Sequence, residues 1–230
     1  MKKKFVLFVV ALTLLCVNVS AVSQVRICSR TIDATEQNLS FKGSYPRVYG
    51  MDNEKAQSDL NTLYRENAQK AMLDAKLAAN GLSQGEIQSG MKAEGIYQFK
   101  VRRNGCGIFS LTTSNYLFSG GAHGTTVQLG STVNATSGKQ YLLKDLFTNE
   151  SDAFAFLNDQ IQEQIKKRGL TPIVPFETVK PNEGYYLTDT DLVVFFQQYE
   201  YFPYSDGIQE FAIPLKNLEN VLIPEIRACK

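Results

Sequence analysis

The sequence predicts an α+β fold, mainly antiparallel sheet with two principal helices packed on it. Three observations carry that expectation. Strand-like runs outnumber helical ones, each helical segment follows its own group of strands, and Gly- or Asn-containing turns separate neighbouring runs at hairpin distance. The 230 residues are 43% hydrophobic and 20% charged, a composition that buries a core and excludes disorder as the overall state.

At the amino terminus Lys2, Lys3 and Lys4 precede an apolar run from Phe5 to Val17, and Val19-Ser20-Ala21 supplies the small residues of a cleavage site. This pattern predicts a secretory signal peptide over residues 1–21, hence a secreted or periplasmic product. The run falls short of the roughly 20 apolar residues a membrane-spanning helix needs, and no later stretch approaches that length. Removing the segment leaves 21 basic against 23 acidic side chains, a net charge near −2, which argues against a nucleic-acid partner.

Val25 to Ile32 and Asn38 to Phe41 read as strands, ended by a break at Ser44-Tyr45-Pro46. Asp52 or Asn53 caps a helix running to about Ala79, with Ala56, Leu60, Leu63, Tyr64, Ala71, Ala75 and Ala78 near helical spacing. A polar stretch punctuated by Gly85, Gly90 and Gly95 follows, either loop or short helix. Ile96 to Arg103 and Gly107 to Phe118 then form a hairpin whose Asn104-Gly105 favours a type I′ turn. Thr125 to Val133 and Gln140 to Leu143 predict a second hairpin through Ser137-Gly138. Ser151 caps a second helix carrying Phe154, Leu157, Ile161 and Ile165 on one face, with Lys166, Lys167 and Arg168 in its last turn before Gly169. Tyr185 to Leu187, Leu192 to Phe196 and Phe211 to Ile213 read as strands, and Leu215 to Val221 as a short helix.

With Cys16 removed, Cys28, Cys106 and Cys229 remain, an odd number in an oxidising compartment. A Cys28–Cys229 disulfide is the expected pairing, closing a loop of about 200 residues for roughly 4–5 kcal/mol on the entropy model. Cys28–Cys106 and Cys106–Cys229 remain open as rivals. Cys106 itself reads as part of a turn, since no neighbouring base identifies it as a nucleophile.

Three ordered motifs then resemble a known family. Tyr116-Leu117-Phe118-Ser119-Gly120-Gly121-Ala122-His123-Gly124 is similar to the GGAHG hallmark of an extracytoplasmic domain family shared by the anti-sigma-V factor RsiV and the peptidoglycan deacetylase PdaC. Thr136-Ser137-Gly138-Lys139 with Leu142-Leu143-Lys144-Asp145-Leu146-Phe147 is similar to the family segment before its helix. Asp191 to Glu200, with Pro203-Tyr204, Gly207 and Ile213-Pro214-Leu215, resembles its closing block. The resemblance implies a PdaC-like half over 22–118 and an RsiV-like half over 119–230, packed as one unit. It also implies an envelope recognition module whose partner is a lysozyme-like protein or cell-wall glycan. Neither a cytoplasmic sigma-binding region nor a deacetylase domain is expected in this chain.

The candidate binding residues are Gly120, Gly121 and His123 in the first motif, and Tyr199, Tyr201, Pro203 and Tyr204 in the last. The glycines allow a sharp turn and close backbone approach, and the tyrosines offer large contact area with a polar tip. The alternative is a hydrolase of envelope polymers, with His123 as general base and a nearby carboxylate as its partner. Glu200 and Asp206 form only a weak signal for glycoside chemistry. A lone histidine without a second ligand predicts no metal, and no cofactor motif occurs.

Overall fold

A computed structural model describes residues 24–227, so the expected signal segment and Cys229 lie outside the described residues. A five-stranded sheet in the order β1-β2-β3-β4-β5 is built from Arg26–Glu36, Leu39–Tyr49, Ala93–Gly105, Ile108–Phe118 and Thr125–Asn134. A three-stranded antiparallel sheet, β6-β7-β8, comprises Tyr185–Leu187, Asp191–Phe196 and Gln209–Pro214. Helix α1 (Glu54–Gly81) packs on the first sheet, α2 (Gln84–Gln88) follows it, and α3 (Glu150–Arg168) covers the second. A short α4 (Pro224–Arg227) closes the described chain. The fold is α+β, and one pair departs from antiparallel: β2 and β3 run parallel, because α1 and α2 form the crossover between them.

Helix α1 buries Leu60, Tyr64, Ala68, Ala71, Ala75 and Ala79. The alanines let the sheet come close: a Cβ built on Gly95 would lie 3.1 Å from Ala75 Cβ and 2.5 Å from the Phe41 ring. Leu63, expected on the inward stripe, is 38% exposed. The expected break at Pro46 is absent, since β2 continues to Tyr49 opposite β1. Pairing with β3 stops at Gly43, and the Val48 N–H points to Asn61 on α1. Pro46, two residues before Val48, therefore sits where no ladder hydrogen bond is demanded of its nitrogen.

Other expectations move by one or two residues. The first hairpin turns at Cys106-Gly107, with φ of 54° and 73°, while Asn104 holds the Val25 backbone through both amide atoms at 3.1 and 2.7 Å. A bulge between Val101 and Arg103 accompanies this shift. Helix α3 is capped by Asn149, whose side chain accepts from Asp152 N, in place of Ser151. The second hairpin reduces to a single bridge between Val133 and Gln140, and residues 215–221 hold only a short 3-10 turn, Leu215–Asn217. Cys28 is a free, exposed cysteine on β1, so the expected Cys28–Cys229 pairing is not made; β1 is the outer strand and leaves that side chain in solvent.

The two sheets are stitched together through buried polar groups. Ser110 and Thr132 hydroxyls lie 2.8 Å apart, and Ser110 also accepts from Leu187 N at 3.0 Å. Tyr185 donates its hydroxyl to the Tyr141 carbonyl at 2.7 Å, and burial holds its pKa above the usual phenol value. Gly130 is required at the joint: a Cβ there would stand 1.8 Å from the Tyr185 carbonyl oxygen. No helix among the described residues is long and apolar enough to cross a membrane.

Candidate functional site

The loop between β4 and β5 begins with two left-handed glycines, Gly120 at φ 96° and Gly121 at φ 91°. Any other residue type would be strained at both positions. Gly124 is needed for a different reason, since a Cβ there would overlap the Tyr116 ring at 2.4 Å. Between them His123 is held outward and exposed. Its Nδ1 lies 3.1 Å from the Gly124 carbonyl, so Nδ1 carries the hydrogen and donates. Its ring stacks on Tyr204 with centroids 3.8 Å apart and planes 18° from parallel.

Tyr204 comes from the far end of the chain. It opens a 3-10 turn, Tyr204–Asp206, directly after Pro203. Tyr199 lies beside it, centroids 5.9 Å apart, with φ of 65° and 54% of its surface exposed. That left-handed backbone is stabilised by a tight loop in which Tyr199 N donates to the Phe202 carbonyl at 3.1 Å. Phe202 is buried beneath. The structure thus brings His123, Tyr199 and Tyr204 together as a row of rings at the meeting of two loops.

Tyr201 goes elsewhere. Its ring packs edge-on against Phe196 at 4.7 Å and against Phe176 at 5.5 Å, facing the core of the second sheet. Strand alternation alone would put 199 and 201 on one face; the left-handed backbone at Tyr199 and the turn that follows it break the alternation and separate the two rings. Pro203 serves as the residue before the turn, its carbonyl accepting from Asp206 N at 3.1 Å.

The acidic candidates are engaged in separate contacts. Glu200 binds the Lys180 ammonium at 2.6 Å and accepts from Gln197 N at 3.0 Å, which raises the Lys180 pKa above its ordinary value. Glu183 lies 3.7 Å from the same ammonium, and burial followed by the nearby Glu200 charge pushes its carboxyl upward. Asp206 accepts from the Ser205 hydroxyl at 3.2 Å. Among the described residues no carboxylate hydrogen-bonds or ion-pairs with His123, and no three His, Cys, Asp or Glu side chains gather into a metal-binding group.

Two residues that sequence reasoning passed over position this surface. Gln197 forms a two-way amide bridge with Gln128 of β5, accepting from its N–H at 3.0 Å and donating to its carbonyl at 2.7 Å. Gln198 accepts from Thr126 N at 2.8 Å. These amides cap the outer edge of β5, which otherwise presents unpaired backbone groups, and fix the aromatic loop against the GGAHG turn. Two glutamines following an apolar strand carry no sequence signal for such a role.

The class is thus a two-sheet α+β protein with an exposed aromatic surface at the junction of two loops. Residues 32–126 match the family model described as deacetylase PdaC, and residues 144–216 match that of a protein family of unknown function, DUF3298. The anti-sigma-V factor RsiV of Bacillus subtilis is 24% identical over 196 residues, covering 78% of this chain. The chain spans 64% of the length of that relative. A DUF3298 family member from Bacteroides fragilis superposes with a TM-score of 0.61 at 14% identity, over 89% of this chain and 98% of that one. One from Pseudomonas aeruginosa gives 0.57 at 18% identity, over 87% and 96%. At these identities the two structures show the shared fold. The matches support membership of an RsiV/PdaC-like domain family.

Proposed function

We propose that the chain is an exported, non-catalytic recognition module of the cell envelope, its two family-like halves packed as one unit. The aromatic row of His123, Tyr204 and Tyr199 is its contact surface, for a lysozyme-like protein or for cell-wall glycan. The single observation that carries this reading is the His123–Tyr204 stack, which joins the two most distinctive motifs of the sequence at 3.8 Å. Stacked rings with polar tips, His123 and Tyr199 exposed and Tyr204 half-buried between them, suit both sugar faces and protein interfaces. The relationship to RsiV and to PdaC supports an envelope setting, and the amino-terminal pattern of residues 1–21 supports export.

The test pairs capture on immobilised lysozyme with sedimentation on purified peptidoglycan. The Tyr199→Ala/Tyr204→Ala double variant is expected to lose at least tenfold in whichever assay the parent binds. Absence of parent binding in both, or undiminished binding by the variant, overturns the assignment.

A further inference from the structure

A second surface lies on the opposite chemistry. Between the β1–β2 ladder and the first turns of α1 is a cleft of about 340 Å³, into which Arg30, Arg47 and Arg65 converge beside Tyr45, Gln57 and Asn61. No carboxylate lines it. Among the described residues none of the three guanidinium groups lies within 4 Å of an acidic side chain, although the protein's ion pairs elsewhere engage Lys55, Lys70, Lys76, Arg102 and Lys180. Three like charges held together without counter-charges cost energy.

The cations are also arranged, not merely near one another. Arg30 donates to the Tyr49 hydroxyl at 3.4 Å and Arg47 lies over the Tyr49 ring at 5.2 Å, so one tyrosine spaces two guanidiniums. Asn61 is fixed by a two-way bond with the Val48 backbone at 2.8 and 2.9 Å, which places α1 against the strand. Gln57 likewise accepts from Met51 N at 3.2 Å. The stretch of α1 from Gln57 to Arg65 forms one wall.

We propose that this cleft binds an oligoanion, a short run of phosphate or carboxylate groups. Planar guanidinium forks match both groups bidentately, whereas a neutral glycan would leave the charges unanswered. The site is independent of the aromatic surface and stands or falls without it.

Tripolyphosphate and trigalacturonate serve as probes, with the neutral N-acetylglucosamine hexamer as control, by calorimetry on the signal-free chain. The cleft supplies its own reporter: Cys28 is free and exposed and pairs directly opposite Arg47 in the ladder, so a bound anion slows its reaction with a neutral maleimide. At least one anionic probe is expected to bind, to weaken as salt is raised, and to lose at least tenfold in Arg30→Gln/Arg47→Gln/Arg65→Gln. The exposed positions make the triple variant compatible with folding, and Arg65→Gln alone, expected to lose threefold or more, stands in if it is not. Tyr204→Ala is expected to leave this binding unchanged, which separates the cleft from the aromatic surface. Failure of both anions to bind, equal binding of the neutral hexamer, or full affinity in the arginine variants overturns the proposal. Preference between the two anions identifies the group.

Discussion

The aromatic surface and the arginine cleft are built in opposite ways. The cleft draws its cations from β1, β2 and α1, elements contiguous in the chain, and its spacing is set by one local ladder and two side-chain bridges. The aromatic row joins residue 123 to residues 199 and 204, and exists only because the two sheets dock. Local construction tolerates damage at the joint between sheets, whereas long-range construction does not.

Breaking the joint tests this contrast most severely. Gly130→Val drives a side chain into the Tyr185 backbone, which has no flexible end to yield, and is expected to cost about 3 kcal/mol. Denaturant unfolding measures the loss, and the variant is expected to lose the aromatic-surface ligand while oligoanion binding persists. A smaller lesion is Gln197→Leu, which strips the bridge to β5 and leaves the Gln128 N–H and carbonyl unanswered. It is expected to cost about 1–3 kcal/mol by the same measurement, with faster amide exchange at Gln128.

Tyr204→Ala sharpens the comparison at the level of one ring. Removing the half-buried ring stacked on His123 is expected to cost no more than about 1 kcal/mol in stability while abolishing envelope binding, a separation a core residue would not show. The same substitution at Tyr201, packed on Phe196 and Phe176, is expected to reverse that balance.

The smallest effect concerns Glu183. Its folded-state pKa is raised above 4.5, chiefly by burial, so the native state holds its proton more tightly than the unfolded chain does. The associated stability is fully present below the ordinary carboxylate value and is lost as pH rises through the raised one. Glu183→Gln is expected to flatten that decline and to stabilise the protein at neutral pH by less than about 1 kcal/mol, since Lys180 already offsets part of the charge. Unfolding midpoints from pH 4 to pH 8 check it.

Much of this was legible because local chemistry is written in adjacent residues. The alanine stripe of α1, the apolar face of α3 with Gly169 at its end, and the strands of the second sheet all follow from periodicity and capping. Two of the misplacements have a tertiary cause, whereas the cap shift from Ser151 to Asn149 is local. Asn104 left the turn because its amide was worth more against Val25, and Pro46 stayed in a strand because β3 had already ended its pairing. Each preference was overruled by a partner distant in sequence. The candidate site was legible in the same partial way: His123 and Tyr204 stand out in their motifs, but nothing in their spacing says that the rings touch.

Composition and pattern alone determined the α+β class, the two long helices and the residues worth watching, because these depend on interactions within a few positions. Tertiary structure decided which tyrosines face solvent, that His123 meets an aromatic ring in place of a carboxylate, and that three scattered arginines share one cleft. The first two outcomes depend on how the two sheets approach one another, set by contacts such as Gly130 on Tyr185 and Gln197 on Gln128, whose partners are 55 residues or more apart, and the third on α1 packing against the β1–β2 ladder.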